Sequence, residues 1–367
     1  FNGIALSVAF CSLASQAALA QTKIDTLKVQ NLNEVIVKGV RAAKEAPYAV
    51  ANIRKSELKQ FSCSGQELPF LLSRTPGILA WSENGIGTGT TYMRTRGAAG
   101  SRINVTLDGV ALNSPEDQTV FWANMNSYSS LLGSIQVQRG VGSSTNGDGA
   151  FGGSISMATA APSLTPTAEV TGSFGSYNTY HTGASFSTGL LGKHLIFDGA
   201  YHETATDGYV DGTAGRSGSY YGGLTWLGDN FKVSYKNIGN FEKTGQAWNG
   251  VLGGDYNSNF TLLDDGIRTY KDMYKAGLDK FNVLTGDLVR NDKGDYTITP
   301  YTLRDGSKWD KTTDNFYQNH NILSATWTPG SHWSHSLSLH YTYGYGYYKE
   351  FKNNAKFAKF GLVYYDA

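Results

Sequence analysis

Alternation of apolar and polar residues from Thr167 onward is the feature that most restricts the fold of this chain. Leu337, Leu339 and Tyr341 alternate with Ser338 and His340. Successive side chains of a β-strand point to opposite faces, so this period predicts strands with one apolar and one polar face. The same two-residue period runs through segments 168–175, 178–189, 194–203, 219–227 and 320–328.

The connections between these strands are of two kinds. Short turns such as 228–230 and 329–331 contrast with the long polar or glycine-rich segments 204–218 and 244–316. Strands of about ten residues, with short turns at one end and long loops at the other, are typical of an outer-membrane β-barrel. A soluble β-sandwich also alternates and is the competing interpretation. No stretch of 18 apolar residues occurs, so a membrane crossing would have to use strands.

The N-terminal segment favours the barrel. Residues 4–14 are apolar, and Ala18-Leu19-Ala20 before Gln21 forms a small-x-small cleavage site. These features predict a secretory signal peptide over 1–20. Removal of the signal would leave one cysteine, Cys63, so no intramolecular disulfide is expected.

Segment 38–160 mixes short helices with short strands. Residues 56–73 are helix-prone, with Pro69 as an expected interruption. Strands are predicted over 92–96, 104–107, 134–139 and 153–158. The segment is therefore expected to be a separate α+β domain.

The size of the barrel follows from the presence of this domain. Roughly eight strands are expected in 161–367, and a barrel of about eight strands is filled by its own side chains. A barrel that encloses a folded domain needs about 22 strands. The expected fold is therefore an α+β plug domain (38–160) followed by the N-terminal part of an antiparallel transmembrane β-barrel (161–367). We expect residues 1–367 alone to form no functional pore, because the open strand edges would leave backbone groups unpaired in lipid.

The glycines at 147, 149 and 152 have the G-x-G-x-x-G spacing of a dinucleotide-binding loop. That motif requires a following helix. Residues 154–157 instead alternate as in a strand, so we interpret the glycines as a tight connection that uses positive φ and close approach. H-E-x-x-H, G-x-S-x-G and C-x-x-C do not occur, and the net charge is only +1. Catalytic residues, a cofactor, a metal-ligand set and a nucleic-acid partner are therefore not expected.

Several ordered segments resemble TonB-dependent outer-membrane receptors, especially iron-complex receptors of the Bacteroidetes type. In the plug these are RTPGILAWSENGIGTGTTYMRTRGAAGSRINVTLDGVALNSPEDQTVFWANM (74–125) and SIQVQRGVGSSTNGDGAFGGSISMAT (134–159). In the barrel they are EKTGQAWNGV (242–251) and LHYTYGYGYYKEFK (339–352). The resemblance covers essentially all of 32–367.

The resemblance implies an energy-coupling segment, the TonB box, in the N-terminal segment 21–37. LNEVIV matches it, and the predicted box residues are Leu32, Asn33, Glu34, Val35, Ile36 and Val37. A short β-branched stretch of this kind can add as an edge strand to a periplasmic partner, here TonB with its inner-membrane energising complex. A plain first strand of the plug is the alternative.

The resemblance also implies two extracellular loops at the plug apex that contact the ligand. The first is glycine-rich and the second mixes polar and aromatic side chains, as small-molecule pockets do. The predicted ligand residues are Asn84, Gly85, Ile86, Gly87, Thr88, Asn113, Glu116, Asp117, Gln118, Phe121 and Trp122. Internal packing of Phe121 and Trp122 is the alternative for those two.

The plug-motif residues form a third set. They are Arg94, Arg96, Gly97, Arg139, Gly140, Gly147, Gly149, Gly152 and Gly153. In the family, such arginines pair with carboxylates of the barrel wall, and plain surface charge is the alternative.

The expected function is import of a metal chelate, a ferric siderophore in the first place, with outer-membrane lipid around the barrel. Haem, cobalamin or a glycan as ligand remains open, as does an adhesin or binding protein of the outer membrane. Aspartates in 244–316, such as Asp255 and Asp265, also leave Ca²⁺ binding in that loop open.

Overall fold

A small mixed sheet and a wide antiparallel sheet organise the chain. The structure, a computed structural model, describes residues 41–42, 47–141, 150–248, 255–256, 260–262, 265–330 and 332–352. The predicted signal peptide, the predicted TonB box, Gly147 and Gly149 lie outside these ranges.

The first domain, the plug, contains a five-stranded sheet in the order β1-β6-β7-β4-β5. Its strands are β1 (Ala49–Arg54), β4 (Ile103–Leu107), β5 (Val110–Ala111), β6 (Leu132–Arg139) and β7 (Gly153–Thr159). β4 runs parallel to β7, and the other neighbours are antiparallel. A separate hairpin consists of β2 (Ile78–Ser82) and β3 (Thr91–Thr95). β3, β4, β6 and β7 confirm the sequence prediction to within two residues, whereas β1, β2 and β5 were not predicted.

Two helices cover the plug sheet, α1 (Lys55–Ser62) and α2 (Leu68–Leu72). The sequence predicted a helix interrupted at Pro69, and the position of the interruption was wrong. The helices separate at Gly65, whose φ of +70° ends helical geometry, while Pro69 lies in the first turn of α2. A proline is tolerated there because the first amides of a helix have no intrahelical acceptor.

The second sheet, here called the wall sheet, has the order β18-β17-β12-β11-β10-β9-β8, with every neighbouring pair antiparallel. Its strands are β8 (Thr167–Phe174), β9 (Tyr180–Ser187), β10 (Leu195–Thr206), β11 (Gly215–Leu227), β12 (Phe231–Gly245), β17 (Thr313–Trp327) and β18 (His335–Lys349). The strands that alternation predicted are thus confirmed. Among the described residues the sheet is not closed, since β8 and β18 each have one neighbour.

The two faces of the wall sheet differ as the alternation predicted. Leu337, Leu339 and Tyr341 on one face are 57–65% exposed. On the other face, Ile238 and Ile322 are 1% exposed and join the hydrophobic core of the plug. The inner face therefore packs on the plug, and the outer face carries an apolar and aromatic surface.

The long connections are shorter and more ordered than predicted. Strands extend into both expected loops, leaving 207–214 and 246–312 as connections. The second contains α3 (Tyr270–Lys275) and the hairpins β13 (Asp255–Tyr256) with β14 (Phe260–Thr261) and β15 (Gly286–Arg290) with β16 (Tyr296–Pro300). Leu262, Leu278, Phe281 and Leu288 form a small core of its own. We call residues 260–262 and 265–312 the loop unit.

No helix in the described part of the chain is long and apolar enough to cross a membrane.

Candidate functional site: the plug apex and the plug–wall interface

The first ligand loop was predicted over 82–91, and its connecting residues 83–90 are held together by their own side chains. Asn84 Oδ1 accepts from the amides of Ile86 (3.1 Å) and Gly87 (3.3 Å), and Asn84 Nδ2 donates to Thr88 Oγ1 at 2.5 Å. Asn84, Gly87 and Thr88 are buried, Ile86 is half-buried and Gly85 is exposed. The buried polar side chains therefore shape the loop, and its exposed surface lies around Gly85.

The second ligand loop was predicted over 112–122, and its residues 112–121, which precede the turn at Trp122, are anchored to β4. Asn113 Oδ1 accepts from the Val105 amide at 2.9 Å, and its Nδ2 donates to the carbonyls of Ile103 and Gln118. Glu116 and Asp117 are exposed, as is Phe121 at 56%. The side chains of this loop are therefore available for a ligand.

Trp122 has a different environment from its neighbour Phe121. It is 5% exposed and belongs to the hydrophobic core of the plug. Internal packing, the alternative to ligand contact, is therefore observed for Trp122 but not for Phe121. A bulky aromatic side chain on a short 3-10 turn (Trp122–Met125) can reach the core, which the sequence pattern alone did not reveal.

The two predicted loops have different surroundings. Loop 83–90 contacts the ends of β10–β12 and the connections that follow them, whereas the hydrogen bonds of 112–119 run to β4 or within the segment. No hydrogen bond or ring contact joins the two loops among the described residues. A shared ligand surface formed by both stays a prediction.

Tyr209 in connection 207–214 links the apex loop to the loop unit. Its amide donates to the Asn84 carbonyl at 2.9 Å, and its side chain lies where a Cβ on Gly85 would come within 3.2 Å. Its hydroxyl donates to the Asp279 carboxylate and lies 2.9 Å from the Tyr270 hydroxyl. Gly85 has a φ of +78°, so both its backbone and its packing favour glycine. The sequence analysis did not predict this role of Tyr209.

Glu83 connects the same loop to the wall strand β12. Its Oε2 accepts from the Ala247 amide at 2.7 Å, and its Oε1 accepts from the Tyr92 hydroxyl at 2.5 Å. Burial raises the pKa of Glu83, and these two hydrogen bonds offset part of the increase. Beside Glu83, the Thr90 hydroxyl donates a hydrogen bond to Gln246 Oε1 at 3.1 Å. The apex loop is therefore attached to the barrel wall at several points.

Asp108 and Lys236 form a buried ion pair between the plug and the wall sheet. Lys236 Nζ lies 2.8 Å from Asp108 Oδ2, with side-chain exposures of 20% and 8%. Asp108 also accepts from the amide and hydroxyl of Thr159, both at 2.9 Å. Burial alone would raise the pKa of Asp108, but the Lys236 charge and these hydrogen bonds lower it below its ordinary value of 3.8.

Two further carboxyls are buried where the plug meets the wall. Glu67 precedes α2 and is 2% exposed, and Glu242 on β12 is 5% exposed. Burial raises the pKa of Glu67 to about 8, and the hydrogen bond from the Ser127 amide offsets only part of this effect. The sequence did contain a signal for the burial of Glu67. It directly precedes the apolar run LPFLL, and a residue in that position is buried together with the helix.

The predicted plug-motif arginines bond to plug carbonyls. Arg139 donates to the Pro76 carbonyl at 2.9 Å, and Arg94 donates to that of Gly97 at 3.4 Å. Arg96 has a φ of +50° and packs on Gly140. No carboxylate lies within salt-bridge distance of these three arginines in the described ranges, so their pairing with the barrel wall stays a prediction.

The plug-motif glycines Gly152 and Gly153 lie at close backbone approaches, whereas Gly147 and Gly149 of the expected tight connection lie outside the described residues. A Cβ on Gly152 would lie 2.6 Å from that of Ala98. Gly153 has a φ of +148°, and a Cβ there would lie 2.4 Å from the Gln138 carbonyl oxygen. Both positions allow backbone approaches that a larger residue would prevent.

Residues 42–154 match the TonB-dependent receptor plug domain family. The chain carries a TonB-dependent receptor plug domain. The match and the packing of this plug against an antiparallel wall indicate a receptor rather than an enzyme. A search of the curated proteins gives no significant match.

Solved receptor structures share the fold of the whole described chain. The ferric-catecholate import receptor Fiu from K12 E. coli aligns with a TM-score of 0.61 at 14% identity, over 86% of this chain and 40% of Fiu. The ferric citrate transporter FecA aligns at 0.57 and 16% identity, over 84% and 42%. P. aeruginosa FpvA, solved with a ferric pyoverdine, aligns at 0.56 and 13% identity, over 82% and 34%. The chain thus spans 34–42% of the length of these receptors.

Proposed function

We propose that this TonB-dependent receptor chain is part of an outer-membrane transporter that imports a metal chelate, specifically a ferric siderophore. The observation that carries the proposal is a plug domain packed on the inner face of an antiparallel wall, with Ile238 and Ile322 of the wall in the plug core. The structural similarity to receptors of ferric citrate, a ferric catecholate and a ferric pyoverdine supports iron chelates as the ligand class.

The ligand would bind at the plug apex. Gly85 and Ile86 offer backbone that a ligand can approach closely, while Glu116, Asp117 and Phe121 offer exposed polar and apolar side chains. A small-molecule pocket combines these two kinds of surface.

Transport needs energy because the attached plug fills the inner face of the wall. The ion pair Asp108–Lys236 and the contacts of Glu83 and Tyr209 hold the plug in place. We propose that TonB pairs with residues 32–37 by strand addition and that the resulting force rearranges the plug. The exposed outer face of the wall, with residues such as Leu337 and Leu339, would face lipid.

Growth on defined iron sources tests the ligand class. A deletion strain should fail to grow under iron limitation on one or more ferric siderophores and should recover when the full-length gene is restored. Normal growth of the deletion strain on every siderophore, together with a defect on haem, cobalamin or a glycan, would identify the ligand as one of those instead. Ligand binding without any uptake would favour the adhesin or binding-protein alternative.

A further inference from the structure

A turn of the plug, residues 126–127, lies between the two buried carboxyls Glu67 and Glu242. Glu67 Oε2 accepts from the Ser127 amide at 3.0 Å. Glu242 Oε2 accepts from Asn126 Nδ2 at 3.2 Å. The Oε1 atoms of both glutamates are buried and make no hydrogen bond. The plug thus presents one carboxyl and the wall presents the other, on either side of the same turn.

Both carboxyls must be ionised to hold a cation, and no basic side chain in the described ranges would then balance their charge. No lysine, arginine or histidine among the described residues forms a salt bridge with Glu67 or Glu242. Their charged neighbours are acidic, since Glu242 interacts with Glu67 and with Asp314. Buried carboxylates require a partner for their charge, because burial removes their hydration.

Two buried asparagines near Glu242 have side-chain oxygens without a hydrogen-bond partner. Asn126 is fully buried, and its Oδ1 makes no hydrogen bond. Asn240 is also fully buried, and neither atom of its amide group has a partner. It precedes Glu242 by two positions on β12, so both side chains point from the inner face toward the plug. Buried amide groups in proteins nearly always have a partner, so the Asn240 oxygen is available to bind an ion.

We propose that Glu67 and Glu242, with the amide oxygens of Asn126 and Asn240, form a Ca²⁺ site that fastens the plug to the barrel wall. Two carboxylates balance the charge of one divalent cation. Ca²⁺ accepts six to eight oxygens in flexible geometry, whereas Zn²⁺ prefers nitrogen and sulfur ligands. No group of three or more His, Cys, Asp or Glu side chains suited to a metal occurs in the described part of the chain, so the site depends on the amide oxygens.

Calcium titration of the full-length receptor tests this site. Purified receptor in detergent is treated with EGTA and titrated calorimetrically with CaCl₂, without any siderophore. We expect one site with a Kd of about 10⁻⁴ M, the range of extracellular calcium modules. Glu67→Gln and Glu242→Gln should each weaken binding at least about tenfold, because each removes one of the two charges that balance the ion. The control Asp305→Asn changes an exposed loop carboxylate and should bind Ca²⁺ as the wild type does.

A second variant distinguishes loss of the Ca²⁺ site from misfolding. Asn240→Asp supplies a third carboxylate and should tighten Ca²⁺ binding about tenfold, since affinity rises with ligand charge. Wild-type receptor should also lose thermal stability in EGTA and regain it with CaCl₂. Absence of saturable Ca²⁺ binding in the wild type would overturn the proposal, as would unchanged affinity in both glutamine variants. The two carboxyls would then share a proton. Because the readout is Ca²⁺ itself, it is independent of the ligand that the receptor imports.

Discussion

At the scale of single residues, the two salt bridges between plug and wall differ in burial and therefore in strength. Asp108–Lys236 is largely buried, whereas Lys59–Glu169 has side-chain exposures of 62% and 44%. Solvent screens an exposed pair, so it contributes little to stability. Removing one partner of a buried pair leaves an uncompensated charge and costs about 3 to 5 kcal/mol. The buried pair should therefore dominate the attachment of the plug.

Asp108→Asn should destabilise the plug by about 3 kcal/mol at neutral pH, because Lys236 loses its counter-charge. The pKa of Asp108 is lowered in the folded protein, so its contribution is present above the unfolded value and is lost as pH falls through the folded value. The difference between wild type and variant should accordingly shrink below about pH 3.8. Denaturant unfolding of the plug, followed by hydrogen exchange at Thr159, measures this. Glu169→Gln is the matched control and should change stability little, and an equal effect of both variants would contradict the burial argument.

The exposed side chains of loop 112–121 lead to a prediction about ligand binding. Gln118 has a φ of +61°, so Gln118→Gly removes its side chain without backbone strain. Combined with Glu116→Ala, this change should weaken ferric-siderophore binding about tenfold, which corresponds to about 1.4 kcal/mol. Outer-membrane levels should stay the same, because both side chains are exposed. Equilibrium binding to whole cells measures the effect, and unchanged affinity would remove this loop from the ligand site.

At the scale of elements, Tyr209 places the plug apex in contact with the loop unit. Tyr209→Phe removes the hydroxyl contacts to Asp279 and Tyr270 but keeps the ring beside Gly85. Because these hydrogen bonds are lost, amide exchange in 270–282 should accelerate severalfold while 84–88 stays protected. Tyr209→Ala should accelerate exchange in both segments. Equal exchange of 84–88 in the wild type and the alanine variant would show that Tyr209 does not link the two elements.

The elements that the sequence predicted are those with a regular period and two distinct faces. Leu337 and Leu339 mark β18 because apolar and polar side chains alternate along it. The start of β11 was assigned to a loop because residues 215–218 are polar or glycine and show no alternation. The core of the loop unit also escaped prediction, since it joins Leu262, Phe281 and Leu288 from separate segments.

In the candidate site, too, local features could be predicted from the sequence, whereas contacts between distant residues could not. The family resemblance predicted both ligand loops, and the glycine spacing predicted a close backbone approach at Gly152. The pairings of Asp108 with Lys236 and of Glu242 with Asn126 join residues more than 100 positions apart, so no local pattern encodes them. Burial of Trp122 likewise depends on where a short turn meets the core.

At the scale of the whole molecule, the proposed transport requires the plug to be a barrier that opens only when energy is delivered to the plug. Hydrophobic packing, a buried ion pair and the apex contacts hold the plug on the wall. Ligand binding at the apex and energy coupling at 32–37 are then separate functions of one domain. A change in residues 32–37 should affect transport without affecting binding.

Ligand binding and energised uptake, measured in the same cells with a radiolabelled ferric siderophore, test this separation most directly. Val35→Pro removes a backbone donor and fixes φ, so strand pairing with TonB should fail. We predict normal surface binding and abolished uptake for Val35→Pro, and nearly normal uptake for the control Val35→Ala, whose backbone can still pair. Loss of both binding and receptor level would indicate a plain plug strand. Normal uptake by Val35→Pro would contradict energy coupling through these residues.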